Sequence, residues 1–134
     1  RMTIGLDHFR TAMLLAIVEK KLGFSFAGED VYLNVAGGLS IDEPAMDLGI
    51  IVSVVSCLKN KVIPTDTLVF GEVGLSGEIR SVSQPLARIK EAVSLGFKNI
   101  IIPRGNLSQI KGETIPEANL IGINTAKEVL NHIF

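Results

Sequence analysis

Val31-Tyr32-Leu33-Asn34-Val35-Ala36-Gly37-Gly38-Leu39-Ser40-Ile41-Asp42-Glu43-Pro44-Ala45-Met46 joins a strand pattern to the start of a helix. Val31 to Val35 alternates and is rich in β-branched residues, which marks a strand. Gly37-Gly38 breaks it. Asp42 then reads as the cap of a helix with Pro44 in its first turn, where a missing N–H costs little. That helix is expected to run to about Leu58. Ile50, Ile51, Val52, Val54 and Val55 crowd it, and only buried neighbours justify so much apolar surface.

Before this stretch, residues 7–22 read as a helix capped by Asp7 and stopped by Gly23. Residues 12–18 are almost wholly apolar, so burial on most sides is expected. Arg10 interrupts that helix and calls for a carboxylate partner in the same chain or a neighbour. The opening Arg1-Met2-Thr3-Ile4-Gly5 gives no clean domain entry and reads as a cut inside a longer chain. After it, Thr67 to Phe70 is a short strand, and the glycines of Gly71 to Arg80 suggest tight turns and a β-hairpin. Ser83, Gln84 and Pro85 open a third helix that ends at Gly96. Asn99 to Ile102 is a strand stopped by Pro103, and Asn119 to Ile123 is another. Thr125-Ala126-Lys127-Glu128 matches a capping box for a last helix through Ile133. Strands and helices alternate around a hairpin, so the expectation is one α/β (α+β) domain over residues 1–134, with a mixed sheet and flanking helices.

Composition supports a packed domain. The chain has 134 residues, of which 47% are hydrophobic and 20% charged, which excludes a disordered tail. Aromatics are only 5% and Trp is absent, so the core must be built from Ile, Val, Leu and Ala. A net charge of -1 argues against a dedicated nucleic-acid binder, while 13 Lys and Arg leave room for a local basic face. Cys57 lies in an apolar run and is expected to act as a small buried hydrophobe. A single thiol fits a reducing compartment. No signal peptide is evident, and the apolar stretches fall short of the roughly 20 residues that span a bilayer. A soluble, cytoplasmic protein without membrane contact is expected.

Several chemistries find no support. His8 and His132 lie near opposite ends and no metal-ligand spacing occurs, so no metal site is expected. Gly71, Gly74 and Gly77 are three apart and lead into Glu78-Ile79-Arg80, a strand rather than a helix, so they make turns and not a nucleotide loop. Asp42, Glu43 and Asp47 cluster at a helix start, where they complement its dipole and cap its N–H groups.

The stretch Val31–Met46 resembles the catalytic neighbourhood of Lon-type proteases. There a strand and loop lead into Asp-Gly-Pro-Ser-Ala-Gly, whose Ser is the nucleophile at a helix N-terminus. The corresponding residues here are Asp42-Glu43-Pro44-Ala45-Met46-Asp47, so Ala45 stands at the nucleophile position. The second Lon element ends in the lysine that activates the serine. Here Gly71-Glu72-Val73-Gly74-Leu75-Ser76-Gly77-Glu78-Ile79-Arg80 continues ungapped to Leu86, which falls on that lysine position. Asn-Val-Ala-Gly-Gly-x-x-Ile-Asp-Glu-Pro-Ala-x-Asp-Leu and Phe-Gly-Glu-Val-Gly-Leu-x-Gly-Glu-Ile-Arg are similar to the C-terminal domain of the bacterial RadA (Sms) family, as is Gly-Leu-Asp-x-x-Arg near the start. The resemblance covers about residues 7–133.

The resemblance implies a ribosomal-protein-type, two-layer Lon-like domain without an active dyad, since Ala and Leu supply neither hydroxyl nor amine. Both replacements are apolar, which suits a packed site. A dyad rebuilt from Ser40, Ser83 or Lys90 would sit at the wrong offset. RadA proteins place this domain behind a zinc-binding segment and a RecA-like ATPase, so ATP and zinc are expected only in those parts of the parent protein, with no cofactor here. The same resemblance implies a hexameric ring, contact with the ATPase domain, and DNA as a partner, single-stranded for preference. Candidate DNA-contacting residues are Arg10, Lys20, Lys59, Arg80, Arg88 and Lys90, with Lys21 and Lys61 beside them. Arg88 and Lys90 fall about 200° apart on a helical wheel and need not share a face. The alternatives are a purely structural oligomerisation platform with no DNA contact and a peptidase with a relocated dyad.

Overall fold

A computed structural model describes residues 2–115 and 117–134. Among them it forms seven strands and five α-helices, which bears out the α/β class. The first strand, β1 (Met2–Ile4), lies where the sequence offered no clean entry, and it pairs in parallel with β2 (Tyr32–Asn34). Three residues were too few to show an alternation.

Helix α1 (His8–Lys20) begins where expected, with the Asp7 side chain accepting from the Arg10 N–H at 3.0 Å. It buries Thr11, Leu14, Leu15, Ile17 and Val18, whereas Ala12 and Ala16 face water, so one side only is buried. The next helix starts differently from the expectation. A single 3₁₀ turn, Pro44–Met46, precedes α2 (Asp47–Lys59), and its cap is Glu43, not Asp42. Glu43 Oε1 accepts from the Ala45 N–H at 3.3 Å. Helix α2 buries seven of its thirteen residues, from Asp47 to Val55. Its outward face carries Ser53 and Cys57, so the thiol is exposed, against the expectation of burial. The apolar periodicity of α2 had placed Cys57 in the run without fixing its face.

Strand β3 (Thr67–Val69) is followed by the hairpin β4 (Glu72–Val73) and β5 (Ile79–Arg80), paired antiparallel as expected. Helix α3 (Pro85–Ser94), β6 (Asn99–Pro103), α4 (Arg104–Gln109), β7 (Asn119–Ile123) and α5 (Ala126–Ile133) complete the chain. The short α4 was not foreseen, because Arg104-Gly105-Asn106 offers neither apolar periodicity nor a cap. Thr125 caps α5 by accepting from the Glu128 N–H at 3.2 Å, as the capping box requires.

Both strand orientations occur, but in three small sheets: β1-β2, β4-β5 and a parallel β3-β6-β7. The parallel sheet is apolar on both sides, as such sheets are when helices cover both faces. Ile101 and Ile123 join a core with α1, α2 and α5, whereas Ile100 and Ile102 join a second core with Ile89 and Ala92 of α3. Alternation along β6 therefore divides two cores, and helices lie on either side of the sheet. No helix among the described residues is long and apolar enough to cross a membrane.

Candidate functional site

The two stretches that carry the family resemblance meet at Gly71. Its N–H donates to the Ala45 carbonyl at 2.9 Å, and its carbonyl accepts from the Leu48 N–H at 3.1 Å. The absent side chain leaves room for close packing, since a Cβ would lie 3.0 Å from Ile79 Cγ2 and 3.4 Å from Pro103 Cγ. Asp47, fully buried at the start of α2, completes the junction. Its carboxylate receives Arg10 Nε at 2.5 Å and Arg10 Nη2 on the other oxygen, and the Val73 N–H at 3.0 Å. This bidentate contact raises the Arg10 pKa above its ordinary value, with the side-chain hydrogen bond as the leading cause. One carboxylate thus ties α1, α2 and the hairpin together.

Ala45 and Leu86 both belong to the second core, Ala45 buried and Leu86 packed against it. Glu43 ties their neighbourhoods together. The carboxylate that caps Ala45 also accepts from Arg88 Nη2 at 3.0 Å, two residues beyond Leu86. Where a serine–lysine pair would present a hydroxyl and an amine, the side chains are a methyl and an isobutyl. Beside Ala45 opens a groove of about 330 Å³, bounded by Met46, Gly49, Phe70, Ala92 and Leu95. Ser40 and Lys90 are exposed, and Ser83 is tied to Arg88, whose Nε donates to the Ser83 carbonyl at 2.7 Å.

The basic candidates divide into two kinds. Each of the three arginines faces a carboxylate: Arg10 meets Asp47, Arg80 lies 3.5 Å from both Glu72 and Glu78, and Arg88 meets Glu43. Arg88 also lies over the Phe70 ring, 6.0 Å from its centre. The lysines are placed differently. Lys20 ends α1 and is exposed, as is Lys90 on α3. Lys59 ends α2, with its ammonium 6.0 Å from the Phe24 ring and 5.8 Å from that of Phe134. The Arg10–Asp47 pair joins the starts of α1 and α2, and Lys59 reaches the residues that follow α1. The two helices therefore run the same way, bringing Lys20, Lys21, Lys59 and Lys61 to a common end. Arg10 lies at the opposite end and Lys90 on α3, across the sheet. The candidates do not form one patch.

Asp47 and Asn106 were not singled out as anchors. Asn106 is fully buried, and its amide accepts from the Val82 N–H at 2.9 Å and donates to the Val82 carbonyl at 3.0 Å. A signal existed for Asp47: a lone acid heading an apolar helix matches the lone Arg10 in another. No comparable signal marks Asn106, because its partner is main chain. No group of three or more His, Cys, Asp or Glu among the described residues could hold a metal ion.

A family model described as subunit ChlI of Mg-chelatase matches residues 9–106. The chain belongs to this family. It is 46% identical over 131 residues to the DNA repair protein RadA of Halalkalibacterium halodurans, covering 97% of this chain and 28% of that protein. The RadA of Bacillus subtilis is 44% identical over 131 residues, with the same coverage of 97% and 28%. The RadA of Streptococcus pneumoniae is 42% identical over 135 residues, covering 100% of this chain and 31% of that protein. The chain thus matches one domain of RadA and spans under a third of the length of these curated relatives.

Proposed function

We propose that the chain is a non-catalytic, Lon-like module of a cytoplasmic DNA-repair ATPase, supporting hexameric ring assembly and DNA binding during recombination and branch processing. The observation that carries the non-catalytic part is the packing of Ala45 and Leu86 into one apolar core beside the Glu43–Arg88 pair. Neither side chain can attack a carbonyl or move a proton. The names of the relatives support the repair context. ATP and zinc belong, in this reading, to other parts of the parent protein. The lysines at the shared end of α1 and α2 are the groups best able to meet phosphates. A scaffold without DNA contact is the second reading, favoured by the internal pairing of Arg10, Arg80 and Arg88.

Sedimentation velocity of the chain with fluorescent single-stranded DNA, at low and moderate salt, tests both. Co-sedimentation as a large ring, lost on adding salt and weakened by Lys20→Glu with Lys59→Glu, is the expected result, because phosphate contacts release counterions. A ring that leaves DNA behind reduces the domain to scaffold. A monomer that binds no DNA refutes both roles for the chain on its own. Casein digestion at the blank rate is expected, and cleavage abolished by Ser40→Ala overturns the non-catalytic reading.

A further inference from the structure

Among the described residues, the small sheet β1-β2 leaves one side of β2 open. Met2 N–H donates to the Val31 carbonyl at 2.9 Å, and Val35 N–H donates to the Ile4 carbonyl at 3.0 Å. In a parallel ladder these bonds turn Val31, Leu33 and Val35 toward β1. The main-chain N–H and C=O groups of Tyr32 and Asn34 therefore point away from it, along the free edge.

That edge borders a groove of about 410 Å³. Val31, Leu33, Val54 and Leu58 supply apolar walls, and Ser53 and Cys57 on the outward face of α2 contribute short side chains. No residue of β1 lines the groove, so it opens on the far side of β2. Short side chains let another backbone come close to α2, and the open edge offers donors and acceptors at strand spacing. Tyr32, 70% exposed, also lines the groove. Glu29 and Asp30 form the rim at the start of β2, and no lysine or arginine among the described residues lines the groove. The open edge of β3 differs, because Arg88 and Glu91 put both signs of charge on its groove.

We propose that the free edge of β2 takes up an extended, basic, alternately apolar segment of a partner protein as an added strand. Main-chain hydrogen bonds to Tyr32 and Asn34 hold the segment. Alternate apolar side chains enter the groove over Ser53 and Cys57. A basic side chain meets Glu29 and Asp30. This is strand addition, in which backbone bonding gives affinity and alternate side chains give selectivity.

The test is fluorescence anisotropy of the chain with a labelled synthetic peptide, Lys-Val-Lys-Ile-Lys-Val, blocked at both ends. Saturable binding is expected, falling at least tenfold for the same peptide N-methylated at alternate residues, which removes the donors on one edge. The acidic counterpart Glu-Val-Glu-Ile-Glu-Val should bind at least tenfold more weakly, and Glu29→Lys with Asp30→Lys should reverse that order. Tyr32→Pro removes an outward N–H that a proline at a free edge can spare, and should cost binding while circular dichroism confirms the fold. Bound peptide should also slow maleimide labelling of Cys57 severalfold. Absence of saturable binding, equal binding of the N-methylated peptide, or charge reversal without effect overturns the proposal. Concentration-dependent self-association that Asp30→Lys abolishes would assign the edge to a second copy of the chain and overturn it as well.

Discussion

Arg10→Met isolates the clamp at the start of α2. Methionine keeps an apolar stem in place of the arginine's and removes only the guanidinium. Asp47 stays fully buried, still accepting the Val73 N–H but without its cation. Breaking a buried pair by removing one partner costs about 3–5 kcal/mol, because the other charge is left uncompensated. Domains of this kind have total stabilities of about 5–15 kcal/mol, so the loss takes a large share. At about 3–5 °C per kcal/mol for this chain length, the melting midpoint should fall by about 10–20 °C. Urea unfolding followed by circular dichroism at pH 7 measures the loss of free energy, and a thermal scan measures the midpoint. A second variant, Asp47→Asn in the Arg10→Met background, removes the orphan charge while its amide oxygen still accepts from Val73. It should recover about 1–2 kcal/mol. The parent should show no loss of this term on moderate alkalinisation: the raised Arg10 pKa keeps its contribution intact below the ordinary arginine range, and it is lost only as pH climbs through the folded value. A single variant within about 1 kcal/mol of the parent, or a double variant no better than the single, would refute the reasoning.

Asn106→Ala should destabilise by about 2–4 kcal/mol in the same assay, since it strands the main-chain groups of Val82 that the amide now satisfies. Gly5→Ala should cost at least about 2 kcal/mol, because φ is +82° and the added Cβ would press on the Leu39 carbonyl oxygen; an effect below 0.5 kcal/mol would show that the β1–α1 turn relaxes freely. The Ser76 N–H, which donates to Glu78 Oε1 at 3.0 Å, is the main cause holding the Glu78 pKa below its ordinary value. Its contribution is therefore present above the ordinary carboxylate range and lost as pH falls through the lowered value. Glu78→Gln should lower the neutral region slightly and flatten the acid limb of a stability–pH curve, so that variant and parent converge at low pH.

Elements with a strong local signal were legible in the sequence. Asp7, Thr125 and the glycines around β4-β5 declare their structure through caps and turns, which depend on a few neighbouring residues. What was not legible depends on distant partners. Glu43 displaced Asp42 as cap because its longer side chain reaches both the Ala45 N–H and Arg88 on α3. Cys57 came out on the wet face because α2 is buried along one broad side only, and periodicity in so apolar a run does not say where that side ends. At the candidate site, Ala45 and Leu86 were identified by resemblance, and the structure places both in one core. The basic candidates were chosen by charge alone. Charge does not reveal a partner 37 residues away, such as Asp47 for Arg10.

That difference among the basic residues decides how DNA binding must be tested. An arginine held by a buried carboxylate can turn to a phosphate only by abandoning it, at about 3–5 kcal/mol. A lysine at a helix end gives up far less. Even the ring contacts of Lys59 are worth about 0.5–1 kcal/mol at exposed sites. Charge reversal at Arg10 therefore reports on folding first, and a lost DNA signal there says nothing about contact unless the melting midpoint is unchanged. Reversal at Lys20 or Lys59 leaves the clamp whole. A loss of binding in those variants with an unchanged midpoint assigns phosphate contact to the shared end of α1 and α2, and a steep salt dependence lost with them strengthens that assignment. If instead only the arginine variants lose DNA, and do so without unfolding, the internal pairs must open on binding, and the Arg10–Asp47 clamp becomes part of the DNA response.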